Sequence, residues 1–111
     1  HQVRQASAAI AGGDIYLPLT VCLEAEWVLR SGYRLKETGI ADHLTAFAGL
    51  PGVQVEDPDA LAQAIEWLRE GMDFADALHL ACANGCEAML SFDADFAEAA
   101  ERVGAIPVIA P

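Results

Sequence analysis

The chain has 111 residues, 54% of them hydrophobic, and its 17 Asp and Glu stand against 6 Lys and Arg, a formal net charge of -11. That length and apolar content fit one globular domain and exclude disorder of the whole chain. A balance this acidic also excludes a general electrostatic grip on nucleic acid, which needs clustered Lys and Arg, unless a local basic patch or a bound cation reverses the sign.

In chain order, Val3, Ala6, Ala9 and Ile10 recur at helical spacing as far as the turn signal Gly12-Gly13-Asp14. Ile15 to Leu19 reads as a short buried strand. Thr20 is expected to cap a helix that runs to Leu29 or Arg30 and closes at Ser31-Gly32. A second helix spans Lys36 to Ala48 and stops at Gly49, and Pro51-Gly52 turns the chain into a brief strand, Val53 to Val55. Asp57-Pro58 opens a helix through Glu70 with Gly71 as its stop, and Asp73 starts an Ala- and Leu-rich helix that ends at Asn84-Gly85. Ala88 to Phe92 is a strand, Asp95 to Val103 a helix and Ile106 to Ile109 a final strand. Strands alternating with helices predict a parallel sheet with helices on its faces, in a single domain over residues 1–111.

In such a sheet, ligands sit beyond the carboxyl ends of the strands, where the following helices begin. Asp93 follows its strand directly, Glu24 lies in the first turns of the helix after Leu19, and Asp73 and Asp76 open another helix at the same edge. Val21, Trp27 and Val28 surround Glu24 at helical spacing, so its carboxylate is expected to project from an apolar stripe and to need a counter-charge. Between Glu70 and Glu101 there is no Lys or Arg, so local salt bridges do not account for Asp76 and Asp93. Carboxylates gathered without basic partners suit Mg²⁺ or Mn²⁺, which prefer oxygen ligands. A cation so held orients and acidifies water and offsets charge on a phosphodiester.

These segments resemble the PIN-domain ribonucleases, and most closely the VapC-type toxins of bacterial toxin–antitoxin pairs. Leu23-Glu24-Ala25-Glu26-Trp27-Val28-Leu29 resembles the family's second motif, with Glu24 as its acid. Asp73-Phe74-Ala75-Asp76-Ala77-Leu78-His79 resembles the third, with Asp76 as the acid and Asp73 nearby. Ser91-Phe92-Asp93-Ala94-Asp95-Phe96 resembles the last, with Asp93 as the acid, Asp95 as a helper, and Ser91 where the family usually has Thr. The resemblance implies a three-layer α/β fold with a central, mostly parallel sheet flanked by helices. It further implies a metal-dependent endoribonuclease whose Glu24, Asp76 and Asp93 hold Mg²⁺ or Mn²⁺, with Asp73 and Asp95 as further candidate ligands. An RNA substrate, a cognate antitoxin and a homodimer are its expected partners. The family's opening strand and first acidic motif have no counterpart here, since the early acid Asp14 sits in a Gly-rich turn. The expectation is therefore an N-terminally incomplete domain.

Simpler roles compete at several positions. Asp73 suits an N-cap, Asp95 a cap of the helix that follows it, and Glu26 an i,i+4 surface pair with Arg30. His79, Cys82 and Cys86 have a spacing that zinc uses, but a buried helix packed with small thiols is the expectation, and Trp27 and Trp67 read as core. Arg30, Arg34 and Lys36, half of all basic residues, form the local patch suited to an RNA backbone, with Ser91 as a further contact. Three cysteines imply no disulfide framework, which fits a reducing cytoplasm, and no apolar run reaches the roughly 18 residues that span a bilayer. Two rivals accompany the ribonuclease: a catalytically impaired PIN-like interaction module, and a phosphatase using Asp93 as nucleophile. The second lacks the small residue and the downstream Lys that such enzymes carry.

Overall fold

The computed structural model describes residues 14–111, so the helical pattern of Val3 to Ile10 and the Gly12-Gly13 turn lie outside the described residues. The chain divides into two compact units, residues 1–58 and 59–111.

In the first unit, β1 (Ile15–Leu17) runs parallel to β2 (Val53–Val55), with Ile15 opposite Val53 and Leu17 opposite Val55. Parallel strands need a long crossover. Here α1 (Leu19–Ser31) and α2 (Glu37–Ala48) supply it and pack on each other. Ile40, Ala41 and Leu44 form the buried stripe of α2 at i, i+1 and i+4, and Leu17 and Cys22 are buried in the same unit. Each Ile or Leu so buried stabilises by about 1.5–3 kcal/mol. The helix begins after Lys36 and ends at Gly49, as its sequence predicts. Pro51-Gly52 then makes a turn closed by the Val53 amide donating to the Leu50 carbonyl at 3.1 Å. Gly52 takes φ +87°, a conformation that Cβ-bearing residues avoid.

The first helix departs from expectation in two ways. Its strand stops at Leu17 and its cap residue is Pro18, so Thr20 lies inside the helix rather than capping it. Its buried residues are Cys22 and Glu26, whereas Val21, Glu24, Trp27 and Val28 are exposed. The stripe through Glu24 therefore faces solvent, and Trp27 is not core. Both stripes satisfy helical periodicity, and the fold buries the one through Cys22 and Glu26.

At the boundary α3 (Pro58–Arg69) begins, and all but its first residue belong to the second unit; its buried Ala60, Leu61, Ala64, Ile65 and Leu68 make one continuous stripe. The helix ends in a Schellman motif: the Met72 amide donates to Trp67 O at 3.0 Å, the Gly71 amide to Leu68 O at 2.9 Å, and Gly71 takes φ +97°. Met72 is buried by this reversal, and Asp73 follows at once as the N-cap of α4 (Phe74–Cys82). Then β3 (Met89–Leu90), α5 (Ala94–Arg102) and β4 (Val108–Ile109) form a parallel crossover, with Met89 opposite Val108 and Leu90 opposite Ile109. Phe74, Leu78, Leu80, Phe96 and Ala100 are buried in this unit.

The α/β class predicted from the sequence is thus the class observed, with five helices and four strands among the described residues. Among the described residues the strands make two parallel pairs, one in each unit. The expected strand Ala88 to Phe92 shrinks to two residues, and Phe92 emerges from it exposed. Among the described residues no helix is long and apolar enough to cross a membrane.

Candidate active site

The acids of the second unit are set by two helix starts. At α4, the side chain of Asp73 caps the helix, its Oδ2 accepting from the Asp76 amide at 3.1 Å. This bond is the capping role that the sequence suggests for Asp73, and it fixes the turn that carries Asp76. At α5 the cap is Asp93, not Asp95: Asp93 Oδ1 accepts from the amides of Asp95 at 2.9 Å and Phe96 at 3.2 Å. The Asp93 amide in turn donates to Ser91 Oγ at 3.1 Å. Ser91 therefore shapes the turn that presents Asp93, and its hydroxyl proton remains able to donate to a ligand.

Asp76 links the two helix starts electrostatically. Its carboxyl titrates above the usual aspartate value, pushed up first by partial burial, then by the carboxylates of Asp73 and Asp93, with His79 opposing. A helix start ordinarily favours a negative charge. Asp76 is pushed the other way, first by burial and then by the two neighbouring carboxylates. The structure thus brings Asp73, Asp76 and Asp93 into one electrostatic neighbourhood.

Such hard, anionic oxygens are the donor chemistry of Mg²⁺ or Mn²⁺. Within each unit, among the described residues, no three His, Cys, Asp or Glu side chains are gathered closely enough to form a ready metal site. The donor set fits a divalent cation in kind, and side-chain rearrangement is needed to close on one. Glu24 stands in the first unit, exposed on α1, so a buried carboxylate in need of a counter-charge is not what the structure shows there.

The buried acid of α1 is Glu26, 6% exposed. Arg30 answers it with two hydrogen bonds, Nε donating to Oε2 at 2.8 Å and Nη2 to Oε1 at 3.4 Å. The pair is more than the surface interaction its spacing suggests, since one partner is out of water. It also occupies much of Arg30, the first member of the expected RNA-binding patch. Arg34 and Lys36 are the others: Arg34 is exposed and takes φ +56° in the connection before α2, and Lys36 is the residue from which α2 starts.

Cys82 and Cys86 are exposed, which corrects the expectation of a buried thiol face, and His79 is exposed beside them. The helix ends at Cys82, so Cys86 leaves the shared face and the zinc-like spacing has no helix to act on. Cys22 is the buried thiol, its pKa pushed up by burial and by the nearby Glu56 carboxylate.

Two residues have roles that the sequence does not single out. Glu56 follows β2 as Asp93 comes after β3, so the logic of an acid just past a strand applies to it equally. Its Oε1 accepts from the Leu19 amide at 2.9 Å, capping α1 from a distance. Phe92 is 87% exposed beside Asp93. Its hydrophobicity points to burial, and only its place next to the acids marks it out.

Alternating strands and helices, with acids at two helix starts, define an α/β protein. The chain belongs to the PIN domain family, whose model matches residues 1–102. No curated protein and no solved structure matches the chain.

Proposed function

We propose that the chain is a metal-dependent endoribonuclease of VapC type, the toxin of a bacterial toxin–antitoxin pair, acting in the cytoplasm on RNA phosphodiesters. The observation that carries this reading is the pair of acid-capped helix starts, where Asp73 holds the turn of Asp76 and Asp93 holds the start of α5, in a chain of the PIN family. Asp76 and Asp93 would hold Mg²⁺ or Mn²⁺, with Asp73 and Asp95 in support. When bound, the cation supplies an acidified water and offsets phosphate charge.

The chain's own residues supply the rest. Asp93 and Asp73 each commit one carboxylate oxygen to a helix cap, which holds their other oxygen on a fixed backbone. Ser91 positions the turn and has a proton to donate to a phosphate oxygen. Arg34 and Lys36, ahead of α2, attract the RNA backbone. A homodimer and an antitoxin belong to the same reading, and the exposed Val21, Trp27 and Val28 of α1 offer apolar surface for them.

That apolar surface also favours a second reading, a PIN-like interaction module without catalysis. Cleavage of a mixed RNA pool in Mn²⁺ separates the two, run beside Asp76→Asn and an EDTA control. A ribonuclease loses cleavage in both controls. Cleavage that survives either one rejects the assignment, and no cleavage by the folded wild type leaves the interaction module.

A further inference from the structure

Phe92 deepens the ribonuclease reading and rests on it. Its side chain is 87% exposed although it sits between β3 and Asp93. Hydrogen bonds tie down the backbone on both sides. The Ser91 amide donates to Ile109 O at 3.0 Å, the Asp93 amide to Ser91 Oγ at 3.1 Å, and Asp93 Oδ1 receives two amides of α5. The ring is therefore held out in water from an anchored turn. Leu90, two residues before it, and Ile109, opposite Leu90 across the strand pair, are exposed as well, so apolar surface continues from the ring to the sheet.

Charge decides what such a ring can hold next to Asp93. Residues 59–111 contain ten acids and two arginines, and one of the two, Arg69, faces Glu66 at 3.9 Å. A nucleic acid therefore finds little ionic grip in this unit. The face of a base is neutral, and stacking on an aromatic ring needs no counter-charge. Duplex bases are already stacked on one another, whereas an unpaired base has a free face.

We propose that Phe92 is a stacking platform for an unpaired base of single-stranded RNA, seating the nucleotide beside the phosphodiester that reaches Asp73, Asp76 and Asp93. The ring selects strandedness rather than sequence, because every base presents a π-face. It is a specificity-determining residue, set one position from a candidate metal ligand.

The test titrates the full 111-residue chain in Mn²⁺ with a phosphorothioate-linked single-stranded RNA carrying 2-aminopurine, and with the same RNA annealed to its complement. Phe92→Ala is expected to weaken single-strand binding by roughly tenfold or more and to leave duplex binding unchanged. Phe92→Trp is expected to keep wild-type affinity and to quench the 2-aminopurine. Circular dichroism melting should move little in either variant, since the ring buries almost nothing. If the wild type binds and cleaves RNA and Phe92→Ala matches it, the platform is overturned while the ribonuclease reading stands. If Phe92→Ala changes only sedimentation of the chain and not its RNA affinity, the ring meets a second copy and the platform is again overturned. If the wild type neither binds nor cleaves RNA, both the platform and the ribonuclease reading fall.

Discussion

Glu56 Oε1 accepts a hydrogen bond from the Leu19 amide at 2.9 Å, joining the residue after β2 to the first turn of α1 across 37 positions of sequence. The first amides of any helix lack partners inside it, and Pro18 has no side chain able to serve them. Glu56 fills that role and places a negative charge at the positive end of the helix. Glu56→Ala is expected to destabilise the chain by about 1 kcal/mol in urea unfolding, the usual cost of losing a cap. Glu56→Gln keeps an oxygen acceptor and should cost less. Equal losses in the two variants would show that the carboxylate charge, not the hydrogen bond, is what stabilises α1.

Asp76 gives a prediction whose sign follows from its crowding. In the folded chain its pKa lies above the usual aspartate value, through partial burial and then the carboxylates of Asp73 and Asp93. A carboxyl raised in this way stabilises the fold below its unfolded value and gives that stability up as pH rises through its folded value. Its charged form is the one that burial and the neighbouring carboxylates disfavour. Asp76→Asn, locked neutral, is therefore expected to melt higher than wild type at neutral pH. Solvent screening limits the gain to about 0.5 kcal/mol, or about 2 °C. The difference should close as pH falls below the usual aspartate range, where wild-type Asp76 is neutral too. Added Mn²⁺ should raise the wild-type melting temperature more than that of the variant. An Asp76→Asn chain that melts lower at neutral pH would contradict the crowding.

How far the sequence reveals this arrangement depends on whether the cause is local. Lys36 and Gly49 bound α2 where expected, and Asp73 caps α4, because caps and stops act within a turn of chain. The order of elements and the acids past strand ends are equally local, so the α/β class and the nearness of Asp76 to Asp93 are legible. Burial on α1 is not. The stripes through Glu24 and through Glu26 both repeat at helical spacing, and tertiary packing rather than hydrophobicity decides between them. Trp27 and Phe92 show the same limit, since an apolar side chain states its preference and not its neighbours. The bond from Leu19 to Glu56 reaches over both α1 and α2 and leaves no trace in any short window.

Asp93 serves both structure and charge, and two substitutions part them. Asp93→Asn keeps a carbonyl oxygen for the amides of Asp95 and Phe96 and should hold stability within about 0.5 kcal/mol of wild type. Asp93→Ala removes the cap and should cost about 1 kcal/mol. Both remove the negative oxygen that a divalent cation requires, so both should lower RNA cleavage in Mn²⁺ by about 100-fold or more. Parallel urea unfolding and cleavage assays check the split. Near-normal cleavage by Asp93→Asn would restrict this residue to capping.

The basic residues after α1 divide in the same manner, because their surroundings differ. Arg30 meets Glu26 through two nitrogens while Glu26 is 6% exposed, so Arg30→Gln strips charge from beside a buried carboxylate. Its expected cost is about 1–3 kcal/mol of stability, the range for leaving a buried polar group poorly satisfied. Arg34 and Lys36 lie in the connection ahead of α2, and replacing both with Gln should leave stability within about 0.5 kcal/mol. If they meet phosphate, that double variant weakens RNA binding evenly across sequences. It also lowers the slope of log affinity against log salt by about 0.7 for each single-strand phosphate that is no longer neutralised. Binding isotherms at several salt concentrations measure that slope, and an unchanged slope would place the RNA backbone away from the α1–α2 connection.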